Sequence, residues 1–197
     1  MNLLLFYDTE TAGLPIFKEP SDHPDQPHFV QIAAKLVDAD TRKTVASIDL
    51  TVKPLWGDIP EEMTAIHGIS TVYAHAIGVK EVVALGCFLD LAMGHTRVAY
   101  NEQFDARIIR IAQSRYGFSE DDLEVWKTGN AECCMKMAQK HIGGKFPKLI
   151  AAHQHFLGKV FDGQHTAMGD VDACIAVYFA IKDLENGTNH INSEVSA

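Results

Sequence analysis

The sequence predicts one α/β domain with a mixed central β-sheet, in which three antiparallel strands come first and parallel strands are added later, with helices flanking the sheet. Strand-like segments fill much of the first 52 residues, whereas helical segments alternate with a short strand afterwards. The 197 residues are 47% hydrophobic and 22% charged, which is typical of a globular chain with one full core. We expect the domain to span residues 1–185 and a polar tail to span residues 186–197.

The first part of the chain has the patterns of three strands and one long loop. Residues 3–8 form an unbroken apolar run that ends in a carboxylate, which is typical of a buried central strand. Residues 12–28 hold four of the seven prolines, and proline lacks the N–H that strands and helices use, so we predict a loop. Residues 29–37 and 44–52 are rich in β-branched side chains and predict an antiparallel hairpin in the same sheet.

From residue 60 onward the pattern becomes helical. We predict one short strand over residues 96–100, followed by a helix over residues 101–114 that Asn101 caps. The other helices are predicted over residues 61–66, 79–93, 131–141, 148–157 and 167–184.

The composition restricts the location and the partners. No apolar run approaches the roughly 20 residues that span a bilayer, and the first residues lack the features of a signal peptide. We therefore expect a cytoplasmic protein without a membrane partner, in which the four cysteines are reduced because they show no metal or disulfide spacing. The net charge of −9 disfavours a protein that coats long duplex DNA. The sequence gives no indication of the oligomeric state.

Two carboxylates lie two positions apart at the end of the first predicted strand. Side chains alternate along a strand, so Asp8 and Glu10 point to one side and Thr9 to the other. Two carboxylates this close repel each other unless a cation lies between them. The alternative is a pair of solvated acids at the start of a loop.

Asp105 lies one turn into its predicted helix, four residues after Asn101. The helix dipole favours an anion there, and the preceding strand places Asp105 at the carboxyl edge of the sheet, where the sites of α/β folds gather. The alternative is an acid on the solvent-facing side of the helix.

His165 and Asp170 lie five residues apart, which on one regular helix means about 140° of rotation. Both can therefore face one site only if His165 lies in a loop or first turn, which Gly163 permits, and Asp170 lies inside the helix. Histidine is a natural base near neutral pH. The alternative is a surface or capping histidine.

Together these five residues predict a site for phosphodiester hydrolysis. Oxygen ligands suit Mg²⁺ or Mn²⁺. Two such ions about 4 Å apart can hold both the attacking and the leaving oxygen of an in-line displacement. We therefore predict two divalent metal ions with a histidine base beside them. Because the ions add positive charge at one point, a short or single-stranded substrate suits this acidic chain better than a long duplex.

The segments around these residues resemble the motifs of the DEDDh 3′→5′ exonucleases, the family of proofreading epsilon subunits, RNase T and oligoribonuclease. The resemblance extends over residues 4–184, with three main motifs in segments 6–15, 98–105 and 161–173 and a secondary signature at 65–69. It implies an RNase H-like fold in an exonuclease domain over residues 1–185. The site residues that it implies are the metal ligands Asp8, Glu10, Asp105 and Asp170 and the general base His165.

The resemblance also implies that residues after the first acid hold the terminal nucleotide. Leu14 and Phe104 could each contact a base, although a helical phenylalanine more often belongs to the core. Tyr100 stands where the family commonly has a histidine, and we do not expect this difference to remove activity. The residues expected at the substrate are Thr9, Thr11, Leu14, Asn101 and Phe104.

The function predicted first is a 3′→5′ exodeoxyribonuclease that acts on single-stranded, frayed or mismatched 3′ ends and releases nucleoside 5′-monophosphates. The first alternative is the same chemistry on RNA, since contacts to the 2′-hydroxyl distinguish the two and no motif indicates them. The proline-rich loop favours DNA by analogy with DNA-directed bacterial and phage relatives. Two further alternatives are a proofreading subunit bound to a polymerase, for which no binding motif is evident, and a non-catalytic nucleic-acid-binding module.

Overall fold

One mixed sheet of five strands organises the chain. The computed structural model describes residues 2–163 and 165–187. In chain order the strands are β1 (Leu3–Thr11), β2 (Phe29–Asp38), β3 (Thr44–Thr51), β4 (Thr96–Ala99) and β5 (Ala131–Cys133). Their order in the sheet is β3-β2-β1-β4-β5. The pairs β1–β2 and β2–β3 are antiparallel, whereas β1–β4 and β4–β5 are parallel. This arrangement confirms the predicted α/β fold class.

Helices cover both faces of the sheet in the part of the chain that the structure describes. They are α1 (Glu61–His67), α2 (Thr71–Ile77), α3 (Glu81–Ala92), α4 (Glu102–Arg115), α5 (Glu120–Thr128), α6 (Cys134–Ile142), α7 (Leu149–Leu157) and α8 (Ala167–Glu185). Within the described residues, every helix is too short or too polar to cross a membrane. All four cysteines are free thiols.

The central strand β1 is buried on both faces, which explains its unbroken apolar run. Leu5 and Tyr7 belong to a core cluster with residues of α3 and α4. Leu4 and Phe6 belong to a second cluster with residues of α6 and α8. Since side chains alternate along a strand, the positions that continue the even series beyond Phe6 point toward α8.

The structure corrects several predicted boundaries. The helix predicted over residues 131–141 begins only at Cys134, because residues 131–133 pair with β4 as a short edge strand. The helix predicted from residue 79 begins at Glu81, because Val79 forms a bridge with Val52. Asn101 is at the N-cap of α4, but its side chain accepts no capping hydrogen bond.

Two helices, α2 and α5, were absent from the prediction. Each is short, and each begins at a serine whose side chain accepts a backbone hydrogen bond. At α5 the pair Ser119 and Asp122 forms a complete capping box, a signal that the sequence does contain. Of the predicted tail over residues 186–197, residues 188–197 lie outside the described part.

The proline-rich segment before β2 is a loop, as predicted, and side chains hold it in place. The buried Gln26 accepts from the N–H of Ile16 at 3.0 Å and donates to the carbonyls of Ile16 and Pro20 at 3.0 and 2.9 Å. Arg115 of α4 donates to the carbonyls of Gln26 and Pro27. These bonds satisfy backbone groups that have no strand or helix partner.

Gly86 offers a test of packing around α3. It lies inside the helix, and a Cβ added there has no atom within 4 Å. Gly86→Ala reduces the backbone freedom of the unfolded chain, so we expect the free energy of unfolding to rise by about 0.5–1 kcal/mol. Urea denaturation followed by circular dichroism measures the change. Gly68→Ala is the control: Gly68 caps α1 at φ 74°, so an alanine there should lower stability by about 1–2 kcal/mol. Equal effects of both changes would contradict the prediction.

Candidate functional site

Three carboxylates converge at the carboxyl end of β1. Asp8 and Glu10 lie on the face of β1 that α8 covers, and the first turn of α8 contributes Asp170. One oxygen of each carboxylate lies within 4.8 Å of those of the other two. All three side chains are half-buried. The arrangement brings together three of the four acids that the motifs indicate.

Burial and mutual repulsion raise the pKa values in this cluster. Burial raises the pKa of Asp8 well above its ordinary value, and the charges of Asp105, Glu10 and Asp170 raise it further. Burial, and then repulsion by Asp170 and Asp105, raises the pKa of Glu10 to about 8. Each cause is either burial or another carboxylate, so the arrangement favours a bound cation.

Asp105 approaches Asp8 from the opposite face of β1. It lies in the first turn of α4, and its Oδ1 accepts from the N–H of Thr9 at 3.0 Å and from the Thr9 hydroxyl at 2.8 Å. Thr9 therefore points away from the side of Asp8 and Glu10, as strand alternation predicts. Burial raises the pKa of Asp105 to about 7, against the opposing effect of the Thr9 hydrogen bonds. Asp105 is thus a buried acid, not one on the solvent-facing side of its helix.

His165 lies in the turn before α8, off the helix that contains Asp170. This placement meets the condition that helix geometry set for the two residues. Its φ is 62°, a left-handed conformation that is uncommon for a non-glycine residue. Burial raises the pKa of Asp170, while the charge of His165 and a hydrogen bond from its backbone N–H lower it. The exposed histidine is therefore joined to the acidic cluster through its main chain.

The residues expected at the substrate have different surroundings. Leu14 is 76% exposed just beyond β1, and Asn101 is exposed at the start of α4. Phe104 is half-buried and packs against the core cluster of α3 and α4. Thr11 is buried, and its hydroxyl donates to the carbonyl of Gly13 at 2.7 Å. The hydroxyl of Thr9 donates to the Asp105 carboxylate. The substrate roles of all five residues stay predictions.

Two residues near the site were not assigned a role from the sequence. His67, in the secondary signature, is buried behind the end of β1, and its Nδ1 accepts from the N–H of Ile69 at 3.1 Å. Burial lowers its pKa, with the backbone of Thr11 acting in the opposite direction. Gly169 lies so close to the turn of His165 that a Cβ there would be 2.2 Å from the carbonyl oxygen of Gly163. Both contacts lie inside segments that the sequence analysis singled out, residues 65–69 and 161–173.

Comparison with known proteins assigns the chain to a family. The RNase T exonuclease family matches residues 5–178. This chain belongs to that family. It is therefore a nuclease, a hydrolase that acts on nucleic acid. The chain is also 27% identical over 185 residues to uncharacterized exonuclease CP81 of Escherichia phage 186, covering 90% of this chain and 87% of the phage protein.

The fold is similar to that of exonuclease I of E. coli. A zinc-bound complex of that enzyme with single-stranded DNA matches with a TM-score of 0.74 at 20% identity, over 94% of this chain and 41% of the other. A complex with a dT13 oligonucleotide matches with a TM-score of 0.76 at 20% identity, over 95% of this chain and 42% of the other. The chain thus spans about two fifths of the length of exonuclease I, and the likeness establishes an RNase H-like fold.

The raised pKa of Glu10 predicts a pH-dependent stability in the absence of divalent ions. The folded value of about 8 lies above the ordinary 4.5, so the folded protein binds this proton more tightly than the unfolded chain. The stabilisation that this bound proton gives to the fold is complete below about pH 4.5 and is lost as the pH rises through about 8. Glu10→Gln removes this loss, and at pH 8 it should be more stable than the unaltered chain by at least about 1.4 kcal/mol, the equivalent of one pKa unit.

Urea denaturation in EDTA at pH 5 and pH 8 measures this difference. The control is Asp25→Asn, which removes an exposed carboxylate in the proline-rich loop. If Glu10→Gln and Asp25→Asn lose equal stability between the two pH values, repulsion at the end of β1 is not the cause of the loss.

Gly169→Ala should impair the nuclease without unfolding it. The added Cβ would displace the turn at Gly163 and with it His165, and a displacement of 1 Å can reduce a rate about 100-fold. Nuclease assays with an unchanged circular dichroism spectrum would support this. Gly86→Ala is the control, because Gly86 lies in α3 on the other face of the sheet and an added Cβ there meets no atom within 4 Å. Full activity of Gly169→Ala would contradict the positioning role.

Proposed function

We propose that this chain is a metal-dependent 3′→5′ exonuclease that hydrolyses the terminal phosphodiester bond of single-stranded or frayed DNA and releases nucleoside 5′-monophosphates. The proposal rests above all on the three mutually close carboxylates at the end of β1. Family membership supports the nuclease chemistry. The direction, the metal mechanism and the substrate are the proposed part.

The donor set fits divalent ions. Asp8, Glu10 and Asp170 offer oxygen ligands within 4.8 Å of one another, and hard oxygen ligands suit Mg²⁺ or Mn²⁺. Asp105 adds a fourth carboxylate from the other face of β1. Two ions held by these residues would supply Lewis-acid polarisation and charge stabilisation at the phosphoryl oxygens.

His165 is proposed as the general base. Its side chain is exposed on a turn beside the cluster, so it can accept the proton of the attacking water from the solvent side. The bond from its main chain to Asp170 fixes the turn relative to the carboxylates. Asp105 and Thr9 together fix the end of β1, and the exposed Leu14 can pack against the terminal base.

Single-stranded DNA is the proposed substrate for two reasons. Two of the solved exonuclease I structures similar to this chain are complexes, one with single-stranded DNA and one with a dT13 oligonucleotide. The net charge of −9 disfavours long contacts with many phosphates, whereas one chain end can be bound through cations at a single point.

Oligonucleotides of equal length test the substrate and the direction. DNA and RNA strands with free or blocked 3′ ends are incubated with Mg²⁺, and the products are separated by chromatography. We expect mononucleotides from DNA with a free 3′ end and almost none from the blocked strand. Faster loss of RNA would make the chain an exoribonuclease, and degradation of the 3′-blocked strand from its 5′ end would refute the direction.

Substitutions separate the base from the metal ligands. His165→Ala should lower turnover by about 10²–10⁴-fold, the usual contribution of a general base, while calorimetric Mn²⁺ binding is retained. Asp8→Ala should lose both turnover and Mn²⁺ affinity. The control is Asp172→Ala, because Asp172 is two residues from Asp170 but forms an exposed ion pair with Lys35. Near-normal turnover of His165→Ala, or normal Mn²⁺ binding by Asp8→Ala, would contradict the assigned roles.

A further inference from the structure

A cavity of about 510 Å³ lies on the face of the sheet opposite the acidic cluster. It is bounded by α3, α4, α5 and the start of β4. Arg97, which lines it, pairs in the sheet with Leu5, three residues before Asp8 and therefore about 10 Å along the strand. The volume is in the usual range for sites of small organic molecules. The cavity is thus separate from the proposed nuclease site.

A buried arginine that forms no ion pair with a carboxylate of the described residues lines this cavity. Arg97 is 4% exposed, and its guanidinium lies 3.6 Å from the centre of the Trp126 ring. Its Nη2 donates to the carbonyl of Gly129 at 3.3 Å, but its Nη1 has no acceptor among the described residues. Burial lowers the pKa of Arg97, yet a guanidinium stays charged in proteins. An unsatisfied buried donor of this kind favours a bound acceptor.

An unsatisfied acceptor lines the same cavity. Gln113 of α4 is 2% exposed, and its Oε1 has no donor among the described residues. Five buried side-chain atoms of the described residues lack a partner, and two of them belong to these cavity residues. A third is the hydroxyl of Tyr7, whose ring packs edge-on against Trp126 at 6.1 Å. Unsatisfied polar atoms are rare in folded proteins, yet Arg97 and Tyr7 both contact Trp126 and Gln113 lines the same cavity as Trp126.

We propose that this cavity binds a nucleobase or nucleoside, a planar heterocycle with an acceptor and an N–H donor, toward which Arg97 and Gln113 turn their buried Nη1 and Oε1 atoms. Apolar side chains that include Leu89, Phe118 and Val125 supply walls for a flat ring. A phosphate is disfavoured because Asp90 and Asp122 also line the cavity. The site is independent of the proposed exonuclease activity, since none of its residues belongs to the acidic cluster.

The fluorescence of Trp126 reports on occupancy. The chain has two tryptophans, so Trp56→Phe leaves Trp126 as the single reporter. This variant is titrated in EDTA with thymidine, guanosine, benzoate and inorganic phosphate. We expect a saturable change with at least one nucleoside and none with phosphate. The change should persist after Asp8→Ala, which separates this site from the nuclease site.

Two further variants test the location. Gly86 lines the cavity with open space around it, so Gly86→Leu should fill it and weaken nucleoside binding at least tenfold, whereas Gly86→Ala should retain binding. Gln113→Leu, which removes the acceptor, should also weaken binding at least tenfold. Thermal melting identifies any variant that does not fold, and the other then decides. The proposal is overturned if no nucleoside gives a saturable change, if benzoate or phosphate binds as tightly, or if full binding persists in a folded Gly86→Leu or Gln113→Leu variant.

Discussion

Repulsion among carboxylates at the end of β1 is the constraint on which the rest of the site depends. Asp8 and Glu10 lie on a strand that is packed on both faces, so they cannot move apart without disturbing the core. Helix α8 then adds Asp170 to the same point. The negative charge of these three carboxylates lowers the stability of the fold unless cations or protons neutralise it. Active sites commonly lower stability in this way. Cation binding and the stability of this end of the sheet are therefore coupled.

The two hydrogen bonds from Thr9 to Asp105 explain how four acids can approach the end of β1 from its two faces. Strand β4 pairs with β1 only as far as Phe6, so beyond that point β1 pairs with no strand of the described residues on this side. The N–H of Thr9 donates to the Asp105 carboxylate instead. The short length of β4 thus leaves the space that α4 fills with an acid. Strand β1 thus orders the site, because Asp8 and Glu10 point toward α8 and Thr9 between them points toward α4.

Features that depend on local periodicity could be predicted from the sequence, and features that depend on distant contacts could not. The central strand was recognisable because burial on both faces gives an unbroken apolar run. Helix geometry set the condition that His165 lies off α8 if it and Asp170 face one site. The three residues of β5 are too few for an alternating pattern, and their strand pairing is with β4. The Thr9–Asp105 bonds join residues 96 positions apart and are likewise invisible to spacing.

The acids of this chain differ in whether a basic residue neutralises them. Outside the cluster, several acids are neutralised by neighbours: Glu81 by Arg115, Asp183 by Arg42 and Asp172 by Lys35. At the end of β1, the charged groups of the described residues that shift the pKa values of the acids are other carboxylates and His165. Under the proposed function, phosphate can approach this acidic protein only where bound cations reverse the charge. The negative charge of the protein would then repel the other phosphates, so only the phosphate of the bond that is cut would be bound. Apolar contacts such as that of Leu14 would hold the terminal base.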